Sequence, residues 1–326
     1  MNNSFVNKLF EHGEGDFNEK ALRVFAFQYE NNTVYRSFCD ALKIHIPSVN
    51  AALRIPFLPI GFFKTHKLIT TTFEPEIVFE SSGTSQTVQS RHLVKELSIY
   101  RTSFMNAFEQ FYGNPADWCI LALLPSYLER TGSSLVLMAK ELIEAGNHPQ
   151  SGFYLQNTDD LFLQLKQLES KHQKTLLLGV TYALLDLANS FSLQCNSTVI
   201  METGGMKGRR EELTREEVHE QLKKGFGVKT IHSEYGMTEL LSQAYSKGNG
   251  IFETPPWMKV LVRDEDDPQH IKEKGRGAIN IIDLANVYSC SFIATDDVGE
   301  VYDDGSFRIL GRMDNSDIRG CSLLAL

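Results

Sequence analysis

The chain reads as an α/β protein with a large core followed by a smaller β-rich subdomain. Three observations lead there. From about residue 119 to residue 227, apolar runs of strand length alternate with amphipathic helical stretches. That alternation is the signature of a largely parallel sheet with helices on its faces. Beyond about residue 250 the helical spacing stops, and short alternating runs with turn residues take over. The change falls at Gly248-Asn249-Gly250 and Pro255-Pro256, residue types that punctuate rather than continue regular structure. The expected division is therefore 1–250 and 251–326, and 326 residues suffice for a core of that size.

The elements follow in order. The first 75 residues look helical and aromatic, then turn Pro-rich. Ile55–Leu68 cannot be a regular helix, because Pro56 and Pro59 interrupt it, so it is expected to lie extended on the core. Ile77-Val78-Phe79 is a short apolar run that leads into FESSGTSQTVQSRH. Next, Leu97, Tyr100, Phe104, Phe108 and Phe111 recur at helical spacing, and Gly113 stops the helix. The hydroxyl-rich loop is thus expected between a strand and a helix start, where backbone N–H groups favour anions. Cys119–Pro125, Thr175–Val180 and Thr198–Glu202 are expected strands, the last ending at Gly204-Gly205. Ser133–Ala145, Leu161–Lys171 and Tyr182–Phe191 are expected helices. Another helix begins at a capping box, Thr214 to Glu217, and ends before Gly227. Lys259–Arg263 and Ala278–Leu284 read as strands, and VGEVYDDGSFRILG as a hairpin around Asp304-Gly305.

Composition removes several classes of function. Hydrophobic residues make up 42% and charged residues 22%, ordinary for a globular protein. The net charge of −9, with no basic block, argues against a nucleic-acid surface, which needs clustered Lys and Arg. The five cysteines are scattered and form no CxxC pair, so neither a zinc site nor a disulfide framework is expected. The N-terminus lacks a signal-peptide pattern, and no run of about 18 apolar residues suggests a membrane span. A cytoplasmic protein is the expectation.

Three segments carry chemistry. FESSGTSQTVQS holds four Ser, two Thr and one Gly but no Lys. Hydroxyls and exposed N–H groups can wrap phosphate oxygens, yet the same composition serves an ordinary surface loop. The segment lacks the GxxxxGK[ST] pattern of a P-loop. In HSEYGMTELLSQAY, a Thr hydroxyl with a carboxylate one residue later can hold a phosphate-bound Mg²⁺. Equally, Thr238 and Glu239 can cap and charge a helix start. In FIATDDVGEVYDDGSFRILGRMDNSDIRGCSLLAL, Asp297 can meet ribose hydroxyls and Arg312 can add a contact. Asp303, Asp304 and Gly305 are turn chemistry.

In this order and with these gaps, the segments resemble the adenylate-forming superfamily of acyl-CoA synthetases and related ligases. IPFLPIGFFKTH, ESSGTSQTVQSRH and the ending GRMDNSDIRGCSLL are most similar to the acyl-protein synthetase family of bacterial bioluminescence, and the likeness runs from about Ile55 to the C-terminus. The resemblance implies a large adenylation core with the β-rich part following it. It implies that Ser81, Ser82, Gly83 and Thr84 cradle the phosphates of ATP, and that Gly204 and Gly205 lie against adenine. Tyr235 and Gly236 would line the nucleotide pocket, Thr238 would reach a phosphate, Glu239 and Thr238 would serve Mg²⁺, Asp297 would hold the ribose and Arg312 would assist. The implied reaction converts a carboxylic acid, fatty in this family, and ATP into acyl-AMP, then moves the acyl group to a thiol. That thiol would belong to Cys321, to CoA, to a carrier protein or to an acyl-accepting reductase.

Two departures qualify the likeness. The superfamily's phosphate loop contains a Lys, whereas Gln86 to Ser90 contains none; Arg91 or His92 is expected to supply the charge. With the sequence ending at Leu326, the superfamily's C-terminal lid domain is expected to be missing. Cys321 in RGCSLL matches the family's acyl-accepting cysteine, with Arg319 near enough in sequence to favour the thiolate. Read by itself, it is a small hydrophobe like Cys39, Cys119, Cys195 and Cys290. His232, beside YGMTE, can touch phosphate or the acyl carboxylate, although a lone His is more often structural. Two other functions stay open on the sequence: an acyl-CoA ligase of the phenylacetate-CoA ligase type, and a non-catalytic nucleotide- or acyl-binding homologue.

Overall fold

The computed structural model describes residues 3–10, 16–81, 88–124, 132–154, 157–204, 213–264 and 267–313. Helices α1 (Asn3–Lys8), α2 (Phe17–Asn31) and α3 (Thr33–Ala41) open the chain. Asp16 caps α2, and Asn32 caps α3 by accepting the Tyr35 N–H at 3.0 Å. The Pro-rich segment is extended as its prolines require, except for one helical turn. It holds β1 (Leu58–Pro59) and then α4 (Phe62–Thr65), with Ile55, Phe57, Leu58, Phe63 and Leu68 buried.

The hydroxyl-rich loop lies elsewhere than expected. It joins β2 (Ile77–Glu80) to β3 (Arg91–Val94), two antiparallel strands with Glu80 opposite Arg91. The Ser81 N–H donates to the Ser90 carbonyl at 3.1 Å and closes its base. Helix α5 (Leu97–Tyr112) starts only after β3, and its first N–H, at Leu97, is already taken by the Glu76 carboxylate at 2.6 Å. The anion at that helix start is a side chain of the protein, so the helix-start argument for phosphate does not hold. Within β3 only Arg91 is exposed; His92, Leu93 and Val94 are all buried.

The middle of the chain builds a sheet from β4 (Cys119–Leu123), β5 (Gly152–Tyr154), β6 (Thr175–Val180), β7 (Thr198–Thr203), β8 (His232–Tyr235) and β9 (Ala244–Ser246). The order is β5-β4-β6-β7-β8-β9, parallel except for the last pair. Helices α6 (Ser134–Gly146), α7 (Thr158–Ser170), α8 (Thr181–Ser190) and α9 (Arg215–Phe226) make the connections. β4 and β6 are buried at every residue, which is why they read as unbroken apolar runs. The Thr214–Glu217 capping box forms, and Gly227 ends α9 with φ +63°.

The second sheet contains β10 (Met258–Arg263), β11 (Ile271–Lys272), β12 (Gly275–Asp283), β13 (Phe292–Val301) and β14 (Phe307–Arg312). β13 and β14 form the expected hairpin, with Gly305 at φ +82°. One strand comes from far away: β1 pairs in parallel with β13, Leu58 opposite Ile293. Tyr35 stacks on Phe292 at 5.9 Å, and the Gln28 amide, buried in α2, donates to the Asn286 and Val287 carbonyls. The β-rich sheet is therefore built from both ends of the chain, and the boundary expected at residue 250 is crossed by one continuous core. No helix among the described residues is long and apolar enough to cross a membrane.

Candidate active site

Tyr235 ends β8 and meets the second sheet there. Its ring packs edge-on against Phe307 at 5.5 Å, with Phe252 at 5.8 Å. Its hydroxyl donates to Asp297 Oδ2 at 2.7 Å. Arg312 Nε donates to Asp297 Oδ1 at 3.1 Å, because the β13–β14 ladder sets the two residues opposite each other. Asp297 is buried while the Arg312 side chain is 77% exposed, so the pair forms the floor and rim of one place. Each carboxylate oxygen accepts one of these bonds and retains a lone pair for a hydroxyl donor. Burial and the Asp297 charge push the Tyr235 hydroxyl well above its usual range, so it stays a donor.

Thr238 and Glu239 follow in a turn. The helix start that those residues also suggested is absent: Leu240 N–H reaches Met237 at 3.1 Å, and β9 begins at Ala244. Ala244–Ser246 pair as a strand against β8, and residues 240–243 lead into it without a helix. The Glu239 carboxyl is buried, and desolvation raises its pKa; Ser90, its own backbone, Lys64 and Arg312 oppose that rise. Lys64, on α4, escaped the sequence reading, because nothing local ties a Lys 175 residues upstream to this turn. Its only sequence signal was membership of the IPFLPIGFFKTH tract.

His92 lies fully inside. Its Nδ1 is 2.9 Å from the Thr238 carbonyl, and burial lowers its pKa to about 4. A neutral ring at ordinary pH does not replace the missing Lys charge. Arg91 is exposed and pairs with Glu80 at 3.5 Å. His232, half-buried on β8, holds the Tyr112 hydroxyl at 3.2 Å, and burial with the Lys247 charge lowers its pKa to about 4. Gly204 follows β7 at φ +64°, and its carbonyl accepts the Thr181 hydroxyl at 2.5 Å. Gly236 has no room for a side chain: a Cβ there would sit 2.3 Å from Glu234 Oε1. Ser81 stands at the loop's edge, where its hydroxyl accepts the Ser90 N–H at 2.9 Å. Ser82, Gly83, Thr84, Gly205 and Cys321 lie outside the described residues. The other four cysteines are buried, and desolvation lifts their thiols to about 11 at Cys119 and about 12 at Cys39, Cys195 and Cys290, as inert core positions require.

Sequence reasoning also missed a row of acids behind Gly204 and Gly236. Thr203 on β7 donates to Glu234 on β8, and Thr181 donates to Glu202 at 3.0 Å. His219 stands 3.6 Å from Glu202. Burial raises the Glu234 carboxyl to about 7, with the Glu202 charge adding to the rise.

This two-sheet frame shares its fold with solved ligase structures. It superposes on 2-hydroxyisobutyryl-CoA ligase in complex with 2-HIB-AMP and CoA with a TM-score of 0.66 at 13% identity, covering 92% of this chain and 69% of that one. ATP-bound MatB from Rhodopseudomonas palustris gives 0.54 at 17% identity, over 74% and 50%. The family model for acyl-protein synthetase, LuxE, matches residues 8–145 and 151–325, and the chain belongs to that family. Among its relatives is the long-chain-fatty-acid–luciferin-component ligase of Vibrio harveyi, 24% identical over 92% of this chain and 84% of that protein. The Aliivibrio fischeri protein of the same description is 23% identical over 94% and 87%.

Proposed function

We infer that this enzyme activates a carboxylic acid, fatty in its relatives, with ATP to give acyl-AMP and pyrophosphate, and then transfers the acyl group to a thiol. The observation that carries this reading is the convergence of Tyr235, Asp297 and Arg312 beside the buried Glu239 turn, from three separated segments. In it, Asp297 accepts the ribose hydroxyls while Tyr235 and Arg312 hold it in place. Gly236, exposed and bare, lets the nucleotide approach the main chain. Gly204 does the same at the end of β7.

Mg²⁺ fits Glu239. Its carboxyl is buried in the turn, where Ser90, its own backbone, Lys64 and Arg312 oppose the rise that burial causes, and one carboxylate plus phosphates is how Mg²⁺ is commonly held. Among the described residues, no cluster of three His, Cys, Asp or Glu offers an all-protein cage instead. When bound, the ion neutralises charge on the phosphates. Lys64 and Arg312 add positive charge near Glu239. The acid's carboxylate oxygen attacks the α-phosphorus, and pyrophosphate leaves; positioning and preorganised charge lower that barrier. In the second step a thiolate attacks the acyl carbonyl, and AMP leaves. Cys321 is the proposed acceptor within the chain.

Carboxylate-dependent ATP–pyrophosphate exchange tests the reading, run across short, long-chain and aromatic acids with Glu239→Ala as control. Exchange with one class of acid, lost in the variant, is expected. ATP binding without exchange for any acid overturns it. Acid- and ATP-dependent acylation of Cys321, read by intact mass with and without CoA, then identifies the acceptor.

A further inference from the structure

The turn carrying Thr238 and Glu239 has neither helix nor strand to hold its main chain. Side chains from two distant segments do so instead. His92, on β3, contacts the Thr238 carbonyl through Nδ1 at 2.9 Å. Asn286, in the 3-10 turn Leu284–Asn286 after β12, donates from Nδ2 to the Glu239 carbonyl at 2.7 Å. Just beyond, Asp283 accepts the N–H groups of Leu241 at 2.8 Å and Ser242 at 3.0 Å, and the Ser242 hydroxyl at 2.6 Å. Asn286 is itself pinned, since Gln28 of α2 donates to its carbonyl at 3.0 Å. Two consecutive carbonyls, at the residues assigned above to phosphate and Mg²⁺, are thus each held by a buried side chain.

The chemistry at His92 is one-sided. A carbonyl only accepts, so the proton sits on Nδ1. Nε2 is buried without a hydrogen-bond partner, and the ring edges against Phe63 at 5.6 Å and Phe79 at 6.5 Å. The part of the ring in use is the donor toward Thr238.

We propose that His92 and Asn286 are positioning residues that hold the Thr238–Glu239 main chain, and through it set the Glu239 carboxyl toward Mg²⁺. The proposal rests on the adenylation reading above. It assigns His92 a neutral donor's role in place of a cation's. Groups that orient a metal ligand typically change metal affinity about 10–100-fold when removed.

The test uses His92→Asn, His92→Gln, His92→Leu and Asn286→Ala in the full chain. The amide nitrogen of Asn occupies roughly the place of His Nδ1, whereas that of Gln occupies the place of Nε2. Mg²⁺ is titrated in the exchange assay, and thermal unfolding is followed for every variant. His92→Asn is expected to keep the Mg²⁺ half-saturation within about threefold of the parent. His92→Gln, His92→Leu and Asn286→Ala are expected to raise it about 10–100-fold, with KM for the acid little changed. Should the His92 variants not fold, Asn286→Ala reads the same shift. A better outcome for His92→Gln than for His92→Asn, or the parent's Mg²⁺ dependence in all folded variants, overturns the proposal. If the parent protein itself shows no Mg²⁺-dependent ATP binding by calorimetry, the adenylation reading falls and the proposal with it. A flat variant series on an active parent sinks the proposal alone.

Discussion

Glu234 and Glu239 stand five residues apart, both buried and both raised by burial, but with different groups opposing the rise. Glu234 belongs to β8, directly opposite Thr203 on one side and Tyr245 on the other. Burial and the Glu202 charge raise its carboxyl to about 7, and only the Thr203 hydroxyl opposes them. Glu239 lies in the turn beyond Gly236. Burial raises it as well, and the Ser90 hydroxyl, its own backbone and then the Lys64 and Arg312 charges pull against that rise. A nearby cation favours the charged form of a carboxyl, and Glu239 has two where Glu234 has none among the causes of its shift. The strand acid is thus part of the sheet's interior, and the turn acid is the one proposed to meet a ligand. Gly236 separates them, and its missing side chain leaves space for Glu234 on the inner side.

The largest effect should come from removing the charge at Glu239 alone. Glu239→Gln is expected to lower exchange about 10²–10³-fold, the range for losing a metal's several kcal/mol of charge stabilisation. Its unfolding temperature should not fall, because an amide is cheaper to bury than a carboxylate. Glu234→Gln should do the reverse, keeping exchange and changing stability.

That stability change has a sign. Glu234 titrates near 7 when folded and near 4.5 when unfolded. The folded state therefore binds the extra proton between those values, and its contribution is present below 4.5 and lost as pH rises through 7. The loss is about 3 kcal/mol, from about 2.5 units at 1.36 kcal/mol each. His92 and His232 act at the other end: lowered from 6.5 to about 4, they contribute stability that is lost as pH falls through 4. The difference between Glu234→Gln and parent isolates the carboxyl. In thermal melts, that difference should favour the variant more at pH 8 than at pH 5. An equal difference at both pH values would break the contrast between the two acids.

Smaller effects test the rim. Tyr235→Phe removes one hydrogen bond from Asp297. About 1 kcal/mol is the typical value of such a bond, so ATP affinity by calorimetry should fall about fivefold. Lys64→Gln should raise the Mg²⁺-ATP half-saturation two- to threefold, roughly, since Lys64 acts from an exposed position. That difference should shrink in about 0.5 M salt if it is electrostatic at a distance.

Much of the fold was legible because its signals are local. Thr175–Val180 read as a strand and is one, since a strand buried on both faces leaves an unbroken apolar run. The Thr214–Glu217 box and Gly227 marked both ends of α9. Asp304-Gly305 marked the β13–β14 turn. Short β5 escaped, because three half-buried residues carry no period. The loop after Phe79 was misplaced for a related reason: four residues of β3 cannot be told from the lead-in to α5 until their partner strand is known.

The candidate site divides along the same line. Sequence alone determined which chemical groups were present and in what order: a hydroxyl loop, a Gly pair after a strand, YGMTE, an Asp and an Arg at the final hairpin. Residue identity and local period survive in a linear string. Tertiary structure decided what those groups touch. It joined Tyr235 to Asp297 across 62 residues, brought Lys64 to Glu239, and made β1 a strand of the C-terminal sheet. It also turned His92 from an expected cation into a buried neutral donor. Those outcomes depend on burial and on contacts between residues distant in the chain, and desolvation has no counterpart in sequence spacing.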